Sequence, residues 1–96
     1  MPETLFFTKF FLPFVNSWVF FNNCQMRGLP FRVTEEDISE WFSSVADPVD
    51  IHIKLNAENR PSGEAEVTFA SEGDAKRAMQ KNKQNMQHRY IELFPM

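Results

Sequence analysis

The apolar residues between positions 24 and 94 recur with a period of two, then of about 3.6, then back again, and the order of those segments leaves few folds open. Cys24, Gln25 and Met26 alternate apolar and polar and stop at Gly28-Leu29-Pro30, a short strand ending in a turn. Ile38, Trp41, Phe42 and Val45 then recur at helical spacing. That helix opens at Thr34, with Asp37 at capping-box spacing and Glu35 and Glu36 at the positive end of the helix dipole. Pro48 stands past its end. Val49, Ile51, Ile53 and Leu55 alternate with Asp50, His52 and Lys54, the clearest half-buried strand in the chain. Positions 56–63 read as a polar loop. Ala65, Val67 and Phe69 then alternate with Glu64, Glu66 and Thr68. Ser71 and Asp74 repeat the capping spacing ahead of a narrow helical stripe, Ala75, Ala78 and Met79. Positions 81–87 read as a polar connection. Ile91 and Leu93 alternate with Tyr90, Glu92 and Phe94 in a last strand.

The order is βαββαβ. Two strand–helix–strand units in that order predict an α+β, ferredoxin-like sandwich: a four-stranded antiparallel sheet with both helices on one face. Cys24, Met26, Ile51, Ile53, Val67, Phe69, Ile91 and Leu93 are expected to face the helices. Gln25, His52, Lys54, Glu64, Glu66 and Glu92 are expected on the open face.

This unit occupies 23–96. Residues 1–22 have a different texture. Seven of the 11 phenylalanines lie between Phe6 and Phe21, and 12 of the 17 residues from Leu5 to Phe21 are apolar. The stretch lacks the basic start and small-residue cleavage site of a secretory signal. It is too short for a membrane span of about 20 apolar residues, and Lys9, Pro13, Asn16 and Ser17 interrupt it. We read it as an apolar, aromatic-rich leader of unknown role, a poorly ordered or non-native extension. A membrane is not an expected partner.

Several chemistries are excluded by what the chain lacks. Cys24 is the one cysteine, so an internal disulfide and a cysteine-based zinc site are ruled out. His52 and His88 have no ligand partner at metal spacing, and there is no glycine-rich phosphate loop. No enzyme activity and no cofactor are expected. Lys plus Arg is 10 and Asp plus Glu is 13, a formal net charge of -3, so bulk charge does not drive nucleic-acid binding.

The open sheet face is where an RNA recognition motif, which has this architecture, stacks bases on aromatic side chains. Here the positions that would carry those aromatics are Gln25, Glu64 and Glu66, so sheet stacking is closed to this chain. Charge points elsewhere. Six acids and no Lys or Arg lie between Thr34 and Asp50, whereas Lys76, Arg77, Lys81, Lys83 and Arg89 lie between 76 and 89 with no acid among them. With the first and third strands central, the first turn and the start of the fourth strand fall at one end of the domain. Arg27, Phe31, Arg89 and Tyr90 are then expected to converge there, two planar cations beside two aromatics, suited to unstacked bases.

Three motifs carry a resemblance: Met26-Arg27-Gly28-Leu29-Pro30-Phe31, Arg60-Pro61-Ser62-Gly63-Glu64-Ala65, and His88-Arg89-Tyr90-Ile91-Glu92-Leu93-Phe94. In that order they closely resemble the quasi-RNA-recognition motifs of the heterogeneous nuclear ribonucleoprotein F/H family, from about Cys24 to Phe94. The resemblance implies binding of single-stranded G-tract RNA through loops, in nuclear pre-mRNA splicing or related processing, with other ribonucleoprotein or splicing proteins as possible company. It implies that Arg27, Phe31 and Tyr90 cage the guanines. Arg89, Lys81 and Lys83 are expected in support, on phosphates or behind the cage. The alternative is a protein-interaction module of the same fold, whose acidic first helix meets a peptide partner.

Overall fold

The computed structural model describes residues 9–12 and 17–96; positions 1–8 and 13–16, and with them much of the leader, lie outside the described residues. Two short strands, β1 (Lys9–Leu12) and β2 (Ser17–Phe20), pair antiparallel with Lys9 opposite Phe20. The main sheet holds β3 (Asn23–Arg27), β4 (Pro48–Leu55), β5 (Pro61–Phe69) and β8 (Glu92–Pro95) in the order β4-β5-β3-β8, all pairs antiparallel. The helices α1 (Glu35–Phe42) and α2 (Glu72–Ala78) cover one face. This is the ferredoxin-like sandwich that the order of periods requires, with the first and third strands of the motif, β3 and β5, in the middle.

Burial follows the sequence pattern. Cys24, Met26, Val67, Phe69, Ile91 and Leu93 are buried with Ile38 and Phe42 of α1 and Ala75 and Ala78 of α2. Phe42 packs edge-on against Phe69, ring centroids 5.3 Å apart, and Trp41 edge-on against Phe42 at 4.9 Å. Such aromatic pairs contribute about 0.5–1.5 kcal/mol beyond the area they bury. Phe21 is buried in the same core, and its N–H donates to the carboxylate of Glu72, itself only 2% exposed, at 2.6 Å.

At Thr34 the capping box is complete: Asp37 N–H donates to Thr34 Oγ1, and Thr34 N–H donates to Asp37 Oδ2, both at 3.0 Å. At Ser71 half of it forms. Ser71 Oγ accepts from Asp74 N–H at 3.1 Å, while the Asp74 carboxylate turns to Arg77 instead.

Three local features differ from the pattern of the sequence. The helix stops at Phe42, and Val45 packs from the following turn, whose N–H groups at Val45 and Ala46 both donate to Phe42 C=O. Val49 and Leu55 are exposed, because irregularities between Pro48 and Asp50 and between Ile53 and Leu55 break the alternation at both ends of β4. The loop 56–63 is shorter, since β5 already starts at Pro61. The Asn56 carboxamide organises it, accepting from Glu58 and Arg60 N–H groups at 2.9 and 3.1 Å.

The largest difference lies after α2. A 3-10 turn (Met79–Lys81) leads into the polar connection 81–87, which itself contains the strand β6 (Asn85–Met86), with Met86 buried. The last strand is split. β7 (Arg89–Tyr90) pairs with β6 in a hairpin, and only β8 joins the sheet. Ile91 sits at the break, fully buried, bonded through its N–H to Gln84 C=O and through its C=O to Lys83 N–H.

Burial pushes the Cys24 thiol from 9.0 up to about 12. A raised folded-state value means that stability is fully present below pH 9 and is lost as pH rises through the interval from 9 to about 12. The folded protein should therefore resist an alkylating reagent at pH 9 and react at once when denatured. Rapid modification of the folded protein would contradict this packing.

Candidate nucleic-acid interface

The turn after β3 is held from both sides. Gly28 has φ 93°. That conformation favours glycine. Its α-carbon faces the Tyr90 carbonyl so closely that any Cβ there would overlap the oxygen. On the other side Leu29 N–H donates to Gly63 C=O at 3.0 Å. Leu29 and Val33 are buried, and Val33 N–H closes the turn on Pro30 C=O at 3.2 Å. With both ends anchored inward, the residues between them face out. Phe31 is 74% exposed, an unusual place for so large an apolar ring.

Phe31 forms one wall of a cleft of about 450 Å³, whose other walls are Asn56, Arg60 and Pro61. The far side of the turn is the β6–β7 hairpin. There Tyr90 is 55% exposed, opposite Asn85 in register. The hairpin is fixed at three points: Leu93 N–H on Asn82 Oδ1 at 2.8 Å, the Trp41 indole N–H on Asn85 C=O at 2.9 Å, and buried Met86. Lys83 and Gln87 both adopt positive φ, 70° and 58°. Such conformations persist only where the surroundings enforce them.

Arg27, Phe31 and Tyr90 therefore come from two segments that touch at Gly28. Arg89 is exposed beside Tyr90 on β7, and Lys83 is exposed where the hairpin begins. Lys81 is placed differently. Its ammonium lies 4.9 Å from the centroid of the Trp41 ring, against α1.

The open sheet face is occupied by its own polar network. Gln25 Nε2 donates to Glu64 Oε1 at 3.0 Å, and Lys54 Nζ pairs with Glu66 Oε2 at 3.2 Å. His52, Glu66, Gln25 and Phe94 form one cross-strand row. Phe94 is not among the residues expected on this face, yet it is an aromatic there, 38% exposed, with the Arg27 guanidinium 5.5 Å from its ring centroid. Arg60 and Gly28 are candidate site residues that spacing and charge alone do not single out. Their signal was their place in the shared motifs, and the structure adds the cleft and the close approach. Among the described residues no group of three or more His, Cys, Asp or Glu could hold a metal, and no helix is long and apolar enough to cross a membrane.

A family model described as an RRM domain matches residues 24–96. The chain belongs to the RNA-recognition-motif family, and within it to the quasi-RNA-recognition motifs of the heterogeneous nuclear ribonucleoprotein F/H kind. It is 55% identical over 69 residues to heterogeneous nuclear ribonucleoprotein H of Homo sapiens, an alignment covering 72% of this chain and 15% of that protein. The chain thus spans a small part of the curated relatives that it matches. Its structure is similar to the crystal structure of the Glorund qRRM2 domain, with TM-score 0.70 and 38% identity over 77% of this chain and 86% of that one. It is also similar to G-rich RNA sequence binding factor 1 from Homo sapiens, with TM-score 0.71 and 29% identity over 77% of this chain and 78% of that one.

Gly28→Ala tests the clamp. The new Cβ meets backbone, which cannot swing away as a side chain can, at a φ that alanine disfavours. The variant should lose about 2–3 kcal/mol in chemical denaturation. A loss below about 0.5 kcal/mol would mean that turn and hairpin are not held together.

Proposed function

We propose that this domain binds single-stranded G-tract RNA through the loops at one end of the sheet, in nuclear pre-mRNA splicing or related processing. The observation that carries the reading is the presentation of Arg27, Phe31 and Tyr90 on two segments locked together at Gly28. Two exposed rings and a planar cation give stacking surfaces for bases splayed out of a strand. A preformed arrangement spares the ordering cost that a flexible loop would incur on binding. The exposed Arg89 and Lys83 lie on the same hairpin and suit backbone phosphates. Lys81 contributes there only if it leaves Trp41. The acids of the sheet face keep phosphates from that surface. The name of one structural relative, a G-rich RNA sequence binding factor, agrees with the choice of RNA.

A second reading has its own observation. A shallow recess of about 210 Å³ between α1 and the hairpin is lined by Asp37, Glu40, Trp41, Met86 and Gln87. Its acidic rim suits a basic peptide. Titration against a G-tract oligomer and against such a peptide separates the two.

Tyr90→Ala and Phe31→Ala should each weaken G-tract binding by about tenfold or more, in line with roughly 1–3 kcal/mol per stacked base. Tyr90→Phe should change little, since the ring remains. Arg27→Lys should behave as a loss, because an ammonium does not stack as a guanidinium does. Binding and thermal melts on the same variants decide the matter. Folded alanine variants that bind G-tracts like the parent would overturn the reading.

A further inference from the structure

Arg27 has two carboxylates as its direct cross-strand neighbours. On β5 it stands opposite Glu64, and on β8 opposite Glu92. Both acids share the open face with it. An arginine so placed would ordinarily fold down onto one of them in a bidentate pair. It does not do so here. The ion pairs Lys54–Glu66 and Arg77–Asp74 leave it out, and among the described residues no carboxylate pairs with Arg27. Glu64 is engaged by the Gln25 carboxamide. The Arg27 guanidinium lies instead over Phe94, the diagonal neighbour on β8. Diagonal pairs lie within reach of long and aromatic side chains.

We infer that Phe94 is a positioning residue for Arg27. Its ring holds the guanidinium by a cation–π contact and keeps it out of the carboxylates of Glu64 and Glu92, so that its donors and its outer face remain free for RNA. The chemistry is a competition between two kinds of partner for one cation. A ring face occupies one side of the guanidinium plane and uses none of its N–H donors. A carboxylate would take two of those donors and cancel the charge. The ring keeps both available at little desolvation cost, because the site is exposed. The sheet face thus has a role in this account, although no base need stack on it. The inference rests on the reading of Arg27 as an RNA ligand, and the experiment separates failure of the one from failure of the other.

The test uses the full chain and a short single-stranded G-tract RNA, with Phe94→Leu, Phe94→Tyr, Arg27→Ala, and Phe94→Leu combined with Glu64→Gln and Glu92→Gln. Amide spectra check that each variant is folded; leucine at a site 38% exposed should be tolerated. Phe94→Leu should weaken binding about fivefold, and Phe94→Tyr should bind within about twofold of the parent. The triple variant should recover most of the loss, because an amide cannot trap the guanidinium as a carboxylate does. A merely structural role for Phe94 would not be rescued by neutralising two neighbours. In the free protein, the Arg27 side-chain protons should show an upfield ring-current shift that disappears in Phe94→Leu. The inference is overturned if Phe94→Leu binds like the parent while Arg27→Ala binds weakly, or if the triple variant stays as weak as Phe94→Leu. If Arg27→Ala itself binds like the parent, Arg27 is not a ligand, and the proposed site falls together with this inference.

Discussion

The backbone contact between Gly28 and Tyr90 fixes how the rest of the binding end can be arranged. Two segments far apart in sequence meet there with no side chain between them. Strand β3 can leave the sheet in a tight turn only because its first residue has no Cβ, and the hairpin can lie against that turn only for the same reason. The hydrogen bond from Leu29 to Gly63 closes the other flank. Arg27 and Phe31 on one segment and Tyr90 on the other then have no freedom to separate without unpacking Leu29, Val33 and Ile91. A rigid frame of this kind is what a small domain needs if it is to hold unpaired bases with three side chains.

On the proposed reading, charge favours the loops over the sheet. The outward positions of β3 and β5 carry Gln25, Glu64 and Glu66, which satisfy one another and Lys54. Placing a phosphate there would break those pairs and set it beside carboxylates. At the loop end, Arg27 is held on Phe94, Arg60 lines the cleft beside Phe31, and Arg89 adjoins Tyr90. A net charge of -3 is compatible with this division, since a few directed cations act locally where bulk charge would act at long range.

Most of the fold was legible because it rests on periodicity. The inward and outward sides of β3 and β5 follow strict alternation, and the Thr34 capping box follows from two residues and their spacing. What periodicity missed is where a local device interrupts it. The irregularities in β4 turn Val49 and Leu55 outward although their spacing is that of core residues. The split between β7 and β8 is invisible in the alternation of 90–94, because Ile91 stays buried while its backbone bonds to the hairpin instead of the sheet. Met86 looks like one apolar residue in a polar stretch, and only the docking of its hairpin on the core, against which Trp41 also packs, gives it a core role. At the candidate site, Phe31 and Tyr90 were readable through their motifs. The capture of Lys81 by Trp41 and of Arg27 by Phe94 depends on tertiary proximity, which no spacing encodes.

The most direct measurement is a map of backbone amide shifts on titration with a short single-stranded G-tract RNA. The account predicts that the largest changes fall at 27–29, at Phe31, at Arg60 and at 87–91, with Gln25, His52 and Glu66 nearly still. Changes centred on the outward residues of β3 and β5, with the three loops unmoved, would contradict it.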